Sequence, residues 1–427
     1  MRPDQQTRVP RLPALDGVRG YAILGVVALH LFGAAGFLQH RGTTPDVVIW
    51  GLLGNVIDVF FIISGFGLFL PTVVRGGRFG SLRQYAVDRA ARLLPAYWLS
   101  LALALVLIAL VPTHPPLAMP GISSVALHIG GVAYPARLVD PNLMVGFGVN
   151  WPLWMISVLL GLYLVLPLIA RLYFRHPLLG LAVAAAITLA WREGALHATA
   201  VYSALGGVPS PFMTIVLTDQ LPGWAFSFAL GMTAAWLYVR VLAQRERGWI
   251  ESRAALAMLV AVPAYALFAY LFGRSASTAL PQIGGAVARS SPLLTVACSA
   301  SRALLIGAIA LAPAWIQRPF ANRASRTLAE CSYGLYLVHM IVIMFASRLV
   351  ALPRNASLEA LLGWTAIVLP VSLACGWLSF RYVERPARRW AGSRAYGAGG
   401  ISWFARNTSS GSYWAFTRRR RSEASGV

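Results

Sequence analysis

The chain has 427 residues, 58% of them hydrophobic and only 12% charged, with a mean hydropathy of +0.65. A water-soluble domain carries about 25% charged residues, so a soluble globular fold is excluded. The net charge of +22 is the excess of 36 basic residues, all Arg, over 14 acidic ones; the bias of the Arg to one side of a series of apolar runs points to a membrane surface and against nucleic acid.

Apolar runs close to the length needed to cross a bilayer recur at 19–38, 49–71, 93–111, 153–170, 177–192, 221–240, 254–272, 292–314, 330–350 and 360–382. They predict an all-α polytopic membrane protein of about ten transmembrane helices, the fifth span being short. With the N-terminus inside, the inner segments hold 28 Arg and the outer ones 7, Arg302 lying within a span. The positive-inside rule then predicts cytoplasmic N- and C-termini in the inner (plasma) membrane. The first span follows an Arg-bearing tail, but its length and two ionisable residues predict a retained helix and no cleaved signal.

Three segments are expected: a cytoplasmic tail over 1–18, a transmembrane domain over 19–386, and a basic cytoplasmic tail over 387–427. The last is rich in Gly, Ser, Arg and aromatics and ends Arg418-Arg419-Arg420-Arg421; it reads as disordered and attracted to anionic lipids of the inner leaflet. The longest loops, 112–152 and 193–220, are external in this topology. The first, with Pro112, Pro115, Pro116, Pro120, Pro135 and Pro141, reads equally as a lid beside an acceptor or as an ordered connector. Cys298, Cys331 and Cys375 fall in or beside separate spans without metal-ligand spacing or a disulfide framework, and no metal is expected.

Polar residues inside the spans carry the functional signal. Arg19 and His30 are eleven residues apart in the first span. At about 100° and 1.5 Å per residue they share a helix face, roughly 16 Å apart along the axis. Asp58 in span two, Arg302 in span eight and His339 in span nine lie at depths comparable to His30. A single His in a span is usually a satisfied interhelical bond; four ionisable groups at one level point to a shared polar cavity. At the inner edge, Arg89 and Arg92 share a face at the entry to span three, and Glu384 closes span ten. Arg pairs bind phosphate bidentately, although the positive-inside rule alone would also put Arg there.

These motifs resemble the membrane-bound acyltransferase 3 family, which includes bacterial O-antigen and exopolysaccharide O-acetylases. The resemblance covers about 10–386. It rests on the Arg19–His30 pair, the Asp58–Phe66 run, Arg89 and Arg92 before Leu-Leu-Pro-Ala-Tyr-Trp, the Pro152-Leu153-Trp154 run, the Ser332–His339 run, and Glu384 before Arg385-Pro386. It implies an integral membrane O-acyltransferase without a bound cofactor, using acyl-coenzyme A, with acetyl the expected group, as co-substrate. The implied acceptor is a hydroxyl of a cell-surface glycan or glycosylated natural product. His30 is then the expected general base, accompanied by Arg19; Asp58, the nearest acid by depth in the spans, is the candidate to complete the site. Arg89 and Arg92 are expected at the donor phosphates, and Arg302, His339 and Glu384 among the substrate-binding residues; His339, Arg302 or Ser64 could polarise the thioester carbonyl. One departure stands out: where the family reads Trp-Ser-Leu-Ser-Val-Glu-Glu, this chain reads Trp154-Met155-Ile156-Ser157-Val158-Leu159-Leu160. Two alternatives stay open: a transporter of an acyl group or glycolipid, since buried His, Arg and Asp also serve as relays, and a catalytically degenerate member, which the missing carboxylates suggest.

Overall fold

The computed structural model describes residues 12–204, 213–242, 245–279, 287–289 and 291–396. All regular structure among them is helical, as a lipid environment requires of segments that must satisfy their backbone internally. The main helices are α1 (Pro13–Ala34), α2 (Thr44–Leu53), α3 (Asp58–Val74), α4 (Leu82–Leu110), α5 (Ile122–Ile129), α6 (Trp154–Arg175), α7 (Pro177–Leu196), α8 (Ala225–Arg240), α9 (Arg247–Ser277), α10 (Pro292–Leu311), α11 (Arg323–Leu349), α12 (Leu358–Ser379) and α13 (Arg385–Tyr396). Local sequence sets many of their starts. Pro13 opens α1, where its missing N–H costs nothing. Ser81, Asn322 and Ser357 cap α4, α11 and α12 by accepting from the N–H three residues on, at 3.3, 2.9 and 3.1 Å.

Among the described residues nine helical segments are long and apolar enough to cross a membrane, and the protein is a multi-pass membrane protein. The expected sixth span is the exception. It forms a 3₁₀ turn over Leu221–Trp224 and then the 16-residue α8, shorter than a full crossing yet packed among the others. The short fifth run is a complete 20-residue helix, α7.

Two boundaries differ from expectation. The second run is not one helix: it breaks at residues 54–57 between α2 and α3. Gly54 and Asn55 are poor helix formers, and the Gly54 carbonyl freed by the break accepts from Arg289 Nη1 at 3.2 Å. The C-terminal tail is helical at its start: a π turn over Phe380–Glu384 runs into α13, which reaches Tyr396. The remainder of that tail, and residues 1–11, lie outside the described residues.

Lipid is as apolar as Leu, so helices in a bilayer associate through close packing and polar contacts. Glycines set the closest approaches here. A Cβ on Gly231 of α8 would lie 2.0 Å from the Ile62 carbonyl oxygen of α3, and one on Gly65 of α3 would lie 2.1 Å from the Phe228 carbonyl oxygen of α8. Gly51 and Gly273 form the same reciprocal contact between α2 and α9. The buried core around them includes Ile23 and Val27 of α1, Phe61 and Phe69 of α3, Leu335 of α11 and Trp364 of α12. In it α1 packs on α11, and α11 on α12.

Gly231→Val should therefore push α8 off α3 and lower the midpoint of thermal unfolding in detergent, overpacking of this kind costing about 1–3 kcal/mol or more. Gly307→Ala is the control, because a Cβ there meets nothing within 4 Å and should leave the midpoint unchanged.

Candidate active site

α1 is unbroken from Pro13 to Ala34, so Arg19 and His30 do share a face, three turns apart. Each is fixed by a different contact. Arg19 crosses to α11, donating from Nη2 to the Ala329 carbonyl at 2.8 Å, with Asp16 at 3.9 Å on its own helix. His30 bonds through Nδ1 to the Val26 carbonyl one turn back, at 2.8 Å.

His339 comes to the same place from α11. Its ring centroid lies 5.1 Å from that of His30, with the planes tilted by 53°. His339 is fully buried, and its Nδ1 bonds the Tyr336 carbonyl at 2.7 Å. A carbonyl oxygen can only accept, so Nδ1 carries the proton in both rings. The Nε2 atoms are left with the lone pair, the form a proton acceptor needs. His339 Nε2 is buried without a hydrogen-bond partner.

A strap from the long loop after α4 is laid against this level of α11. Buried Asn150 donates from Nδ2 to the Leu337 carbonyl at 2.7 Å, and the Tyr336 hydroxyl donates to the Pro152 carbonyl. The strap is held at its other end by His128 of α5, whose Nε2 accepts from the Gly146 N–H at 2.8 Å. That bond needs the neutral ring, and burial does push the His128 imidazole below its ordinary pKa. Gly146 and Phe147 both turn in the left-handed region, at φ of +57° and +59°, a conformation glycine takes freely and Phe147 takes at a cost. This loop is thus an ordered connector whose far end reaches the histidines.

Asp58 and Arg302 form a separate pair. Both are buried at the middle of their spans, 3.6 Å apart. Asp58 stands at the first turn of α3, just beyond the helix break. Ser227 of α8 and Ser299 of α10, bonded to each other at 3.1 Å, lie against it. Next to this pair is a group that the sequence did not single out. Asp219 binds Arg289 bidentately at 2.9 and 2.7 Å, and Arg192 lies over the Trp224 ring at 5.2 Å while donating to the Gly223 carbonyl at 2.7 Å. Asp58 is within electrostatic reach of Arg192, and Arg192 of Asp219. The group ties the break between α2 and α3 to the ends of α7 and α8.

The third cluster lies at the end of the bundle where α1 and α4 begin. The Arg89 guanidinium sits between the rings of Tyr85 and Tyr163, 5.9 Å from each centroid. Glu384, buried at the π turn, pairs with Arg388 of α13 at 2.7 Å, and Arg19 and Arg92 lie within its electrostatic reach. Sequence reasoning missed Arg388 because its Arg-rich surroundings look like ordinary membrane-edge charge. It missed Asn150 and His128 because each sits in a loop with no motif of its own. In place of the missing Glu pair, Leu159 is packed in the apolar core and Leu160 is half-buried beside Gly131.

The chain matches a family model described as an acyltransferase domain over residues 12–381. It is also 27% identical over 404 residues to Acyltransferase MdmB of Streptomyces mycarofaciens, a match covering 91% of this chain and 94% of that protein. No solved structure matches.

The Asp58–Arg302 pair generates a prediction that separates structure from chemistry. Breaking a buried pair by removing one partner strands a charge and costs about 3–5 kcal/mol, whereas replacing both with apolar groups is often neutral. Asp58→Leu alone should sharply reduce folded protein in detergent-solubilised membranes, and Asp58→Leu with Arg302→Met should restore it. Activity measured on the restored double variant then reports what the charges do for catalysis alone.

Proposed function

The chain belongs to the membrane-bound acyltransferase 3 family, and from that premise we propose that it is an O-acyltransferase carrying an acetyl or other short acyl group from acyl-coenzyme A to a hydroxyl. The proposed acceptor is a sugar of a cell-surface glycan or of a glycosylated natural product. The observation that carries this reading is the meeting of His30 and His339 with both Nδ1 atoms held by backbone carbonyls. Two imidazoles with their basic nitrogens unblocked, about three turns along α1 from a cluster of arginines, suit a donor whose phosphates and thioester lie at opposite ends of an extended arm.

In the proposed reaction His30 Nε2 takes the proton of the acceptor hydroxyl. The hydroxyl oxygen then attacks the thioester carbonyl, the C–S bond breaks, and the departing thiolate takes up a proton as the free thiol. His339 stands beside the base and replaces, in this reading, the second group that the absent Glu pair would supply elsewhere in the family. Its Nε2 lone pair can take from His30 the proton of the acceptor hydroxyl and pass it to the departing thiolate. Arg89 and Arg92 bind the donor phosphates, approached from the cytoplasm if the excess of Arg at that end follows the positive-inside rule. Arg302 serves Asp58 and through it the packing of α3 on α10, so its expected place at the substrate is a proposal that the double variant above tests.

His30→Ala should lower acyl transfer from acetyl-coenzyme A about 10²–10⁴-fold while leaving the yield and thermal midpoint of the purified protein unchanged. His339→Ala should lower it too, and the two losses should not add if the rings act as a unit. A His30→Ala protein with near-wild-type transfer would remove His30 from the chemistry.

A further inference from the structure

Asn150 is built in beside the two imidazoles with half of its amide unused. It is only 1% exposed. Its Nδ2 donates to the Leu337 carbonyl at 2.7 Å. That carbonyl can only accept, so the amide nitrogen must take this position and the oxygen the other. Oδ1 is buried and has no hydrogen-bond partner. It does not serve the local backbone either. Asn150 precedes the 3₁₀ turn Trp151–Leu153, where an Asn oxygen ordinarily caps the first N–H groups, and it makes no such bond. A buried polar atom left unpaired is costly, and folded proteins keep few of them.

The orphaned oxygen stands beside the proposed base. His339 Nδ1 bonds the Tyr336 carbonyl, and Asn150 bonds the next one, that of Leu337. Successive residues of a helix are about 1.5 Å apart along the axis and about 100° apart around it. The amide and the ring therefore share one turn of α11, and His30 meets that ring at 5.1 Å. The polar atoms gathered here are of one kind. His30 Nε2, His339 Nε2 and Asn150 Oδ1 are all acceptors, and the last two are buried without partners. Acceptors cannot bond one another, so the group suits a ligand that brings more than one O–H donor. A single hydroxyl has one proton to give, and in the proposed reaction it goes to His30. The strap also comes from the right side. Its loop leaves α4 at Leu110, whereas Arg89 and Arg92 lie near the beginning of that helix. Donor phosphates at the arginines would leave the strap's end of the bundle to the acceptor.

We propose that Asn150 is an acceptor-binding residue: its Oδ1 accepts a hydrogen bond from a second hydroxyl, adjacent to the one that His30 deprotonates, and so selects a sugar diol over an isolated alcohol. This rests on the acyl-transfer reading above. The amide is set in advance for the task. Its nitrogen is tied to helix backbone, so little side-chain freedom is lost when the oxygen binds. An acceptor lacking the second hydroxyl leaves that oxygen buried and unpaired, which is how a polar site rejects such an analogue.

The test uses the full-length protein with acetyl-coenzyme A as donor. The acceptors are methyl pyranosides of gluco, galacto and manno configuration and their monodeoxy analogues, with the acetylated position identified by NMR. In wild type, removing one hydroxyl adjacent to the acetylated one should lower kcat/KM about ten- to a hundredfold. Asn150→Ala should lower kcat/KM for the parent glycoside by a similar factor and become indifferent to that deletion. If Asn150→Ala does not fold, Asn150→Gln, which keeps the amide and displaces its oxygen, carries the comparison with the same loss of discrimination expected. A residue that only anchors the strap would lower transfer to every acceptor alike and leave the effect of the deletion in place; that result overturns the inference. A wild type indifferent to every adjacent deletion also overturns it, and fits water on the oxygen. Either result leaves acyl transfer itself standing. If wild type acetylates none of the glycosides, the sugar-acceptor reading fails, and this inference with it.

Discussion

One face of α1 cannot be turned to lipid, and much of the bundle follows from that. A guanidinium and an imidazole facing the hydrocarbon would be costly, so the Arg19–His30 stripe must be covered by protein. α11 supplies the cover along its length. Near the beginning of α11 the Ala329 carbonyl takes Arg19, and nearly three turns on His339 meets His30. Because α11 is itself packed on α12, which leads into the π turn, the same constraint brings Glu384 and Arg388 to the Arg19 end. Two clusters, one of arginines and one of imidazoles, thereby lie about three turns apart along α1.

The bundle holds its other ionisable groups by the same rule of internal pairing. Asp58 meets Arg302 and Asp219 meets Arg289. The second pair also satisfies the Gly54 carbonyl exposed where α2 ends. A helix break inside a membrane is tolerated when protein groups take up the freed backbone atoms, and here an arginine already neutralised by a carboxylate does so. The reciprocal glycine contacts, Gly65 with Gly231 and Gly51 with Gly273, bring α8 and α9 close to either side of that break.

What could be read from the sequence was what repeats or accumulates along it. The apolar runs predicted the helices, and the 3.6-residue period placed Arg19 and His30 on one face of α1. Depth within the spans singled out His339 and Asp58 but could not say which partner each would meet, because depth gives no direction around a helix axis. His339 found His30, whereas Asp58 found Arg302. The break at Gly54 was invisible to a hydropathy reading because Val56, Ile57 and Val59 keep the run apolar across it. The strap was hidden because its contacts, Asn150 with Leu337 and Pro152 with Tyr336, join residues far apart in the chain through backbone carbonyls, which carry no sequence signal. The Leu159-Leu160 departure was plain in the sequence; its packing into the apolar core explains why no isolated acid stands there.

The central claim is that a single donor spans from the arginine cluster to the paired histidines along α1. A cryo-electron-microscopy structure of the protein with a non-transferable thioether analogue of acetyl-coenzyme A tests it most directly. Phosphate density is expected against Arg89 and Arg92, with the arm running beside α1 and the acyl carbon next to His30 and His339. Density for the nucleotide at the other end of the bundle, or an acyl group lying away from both imidazoles, would contradict it.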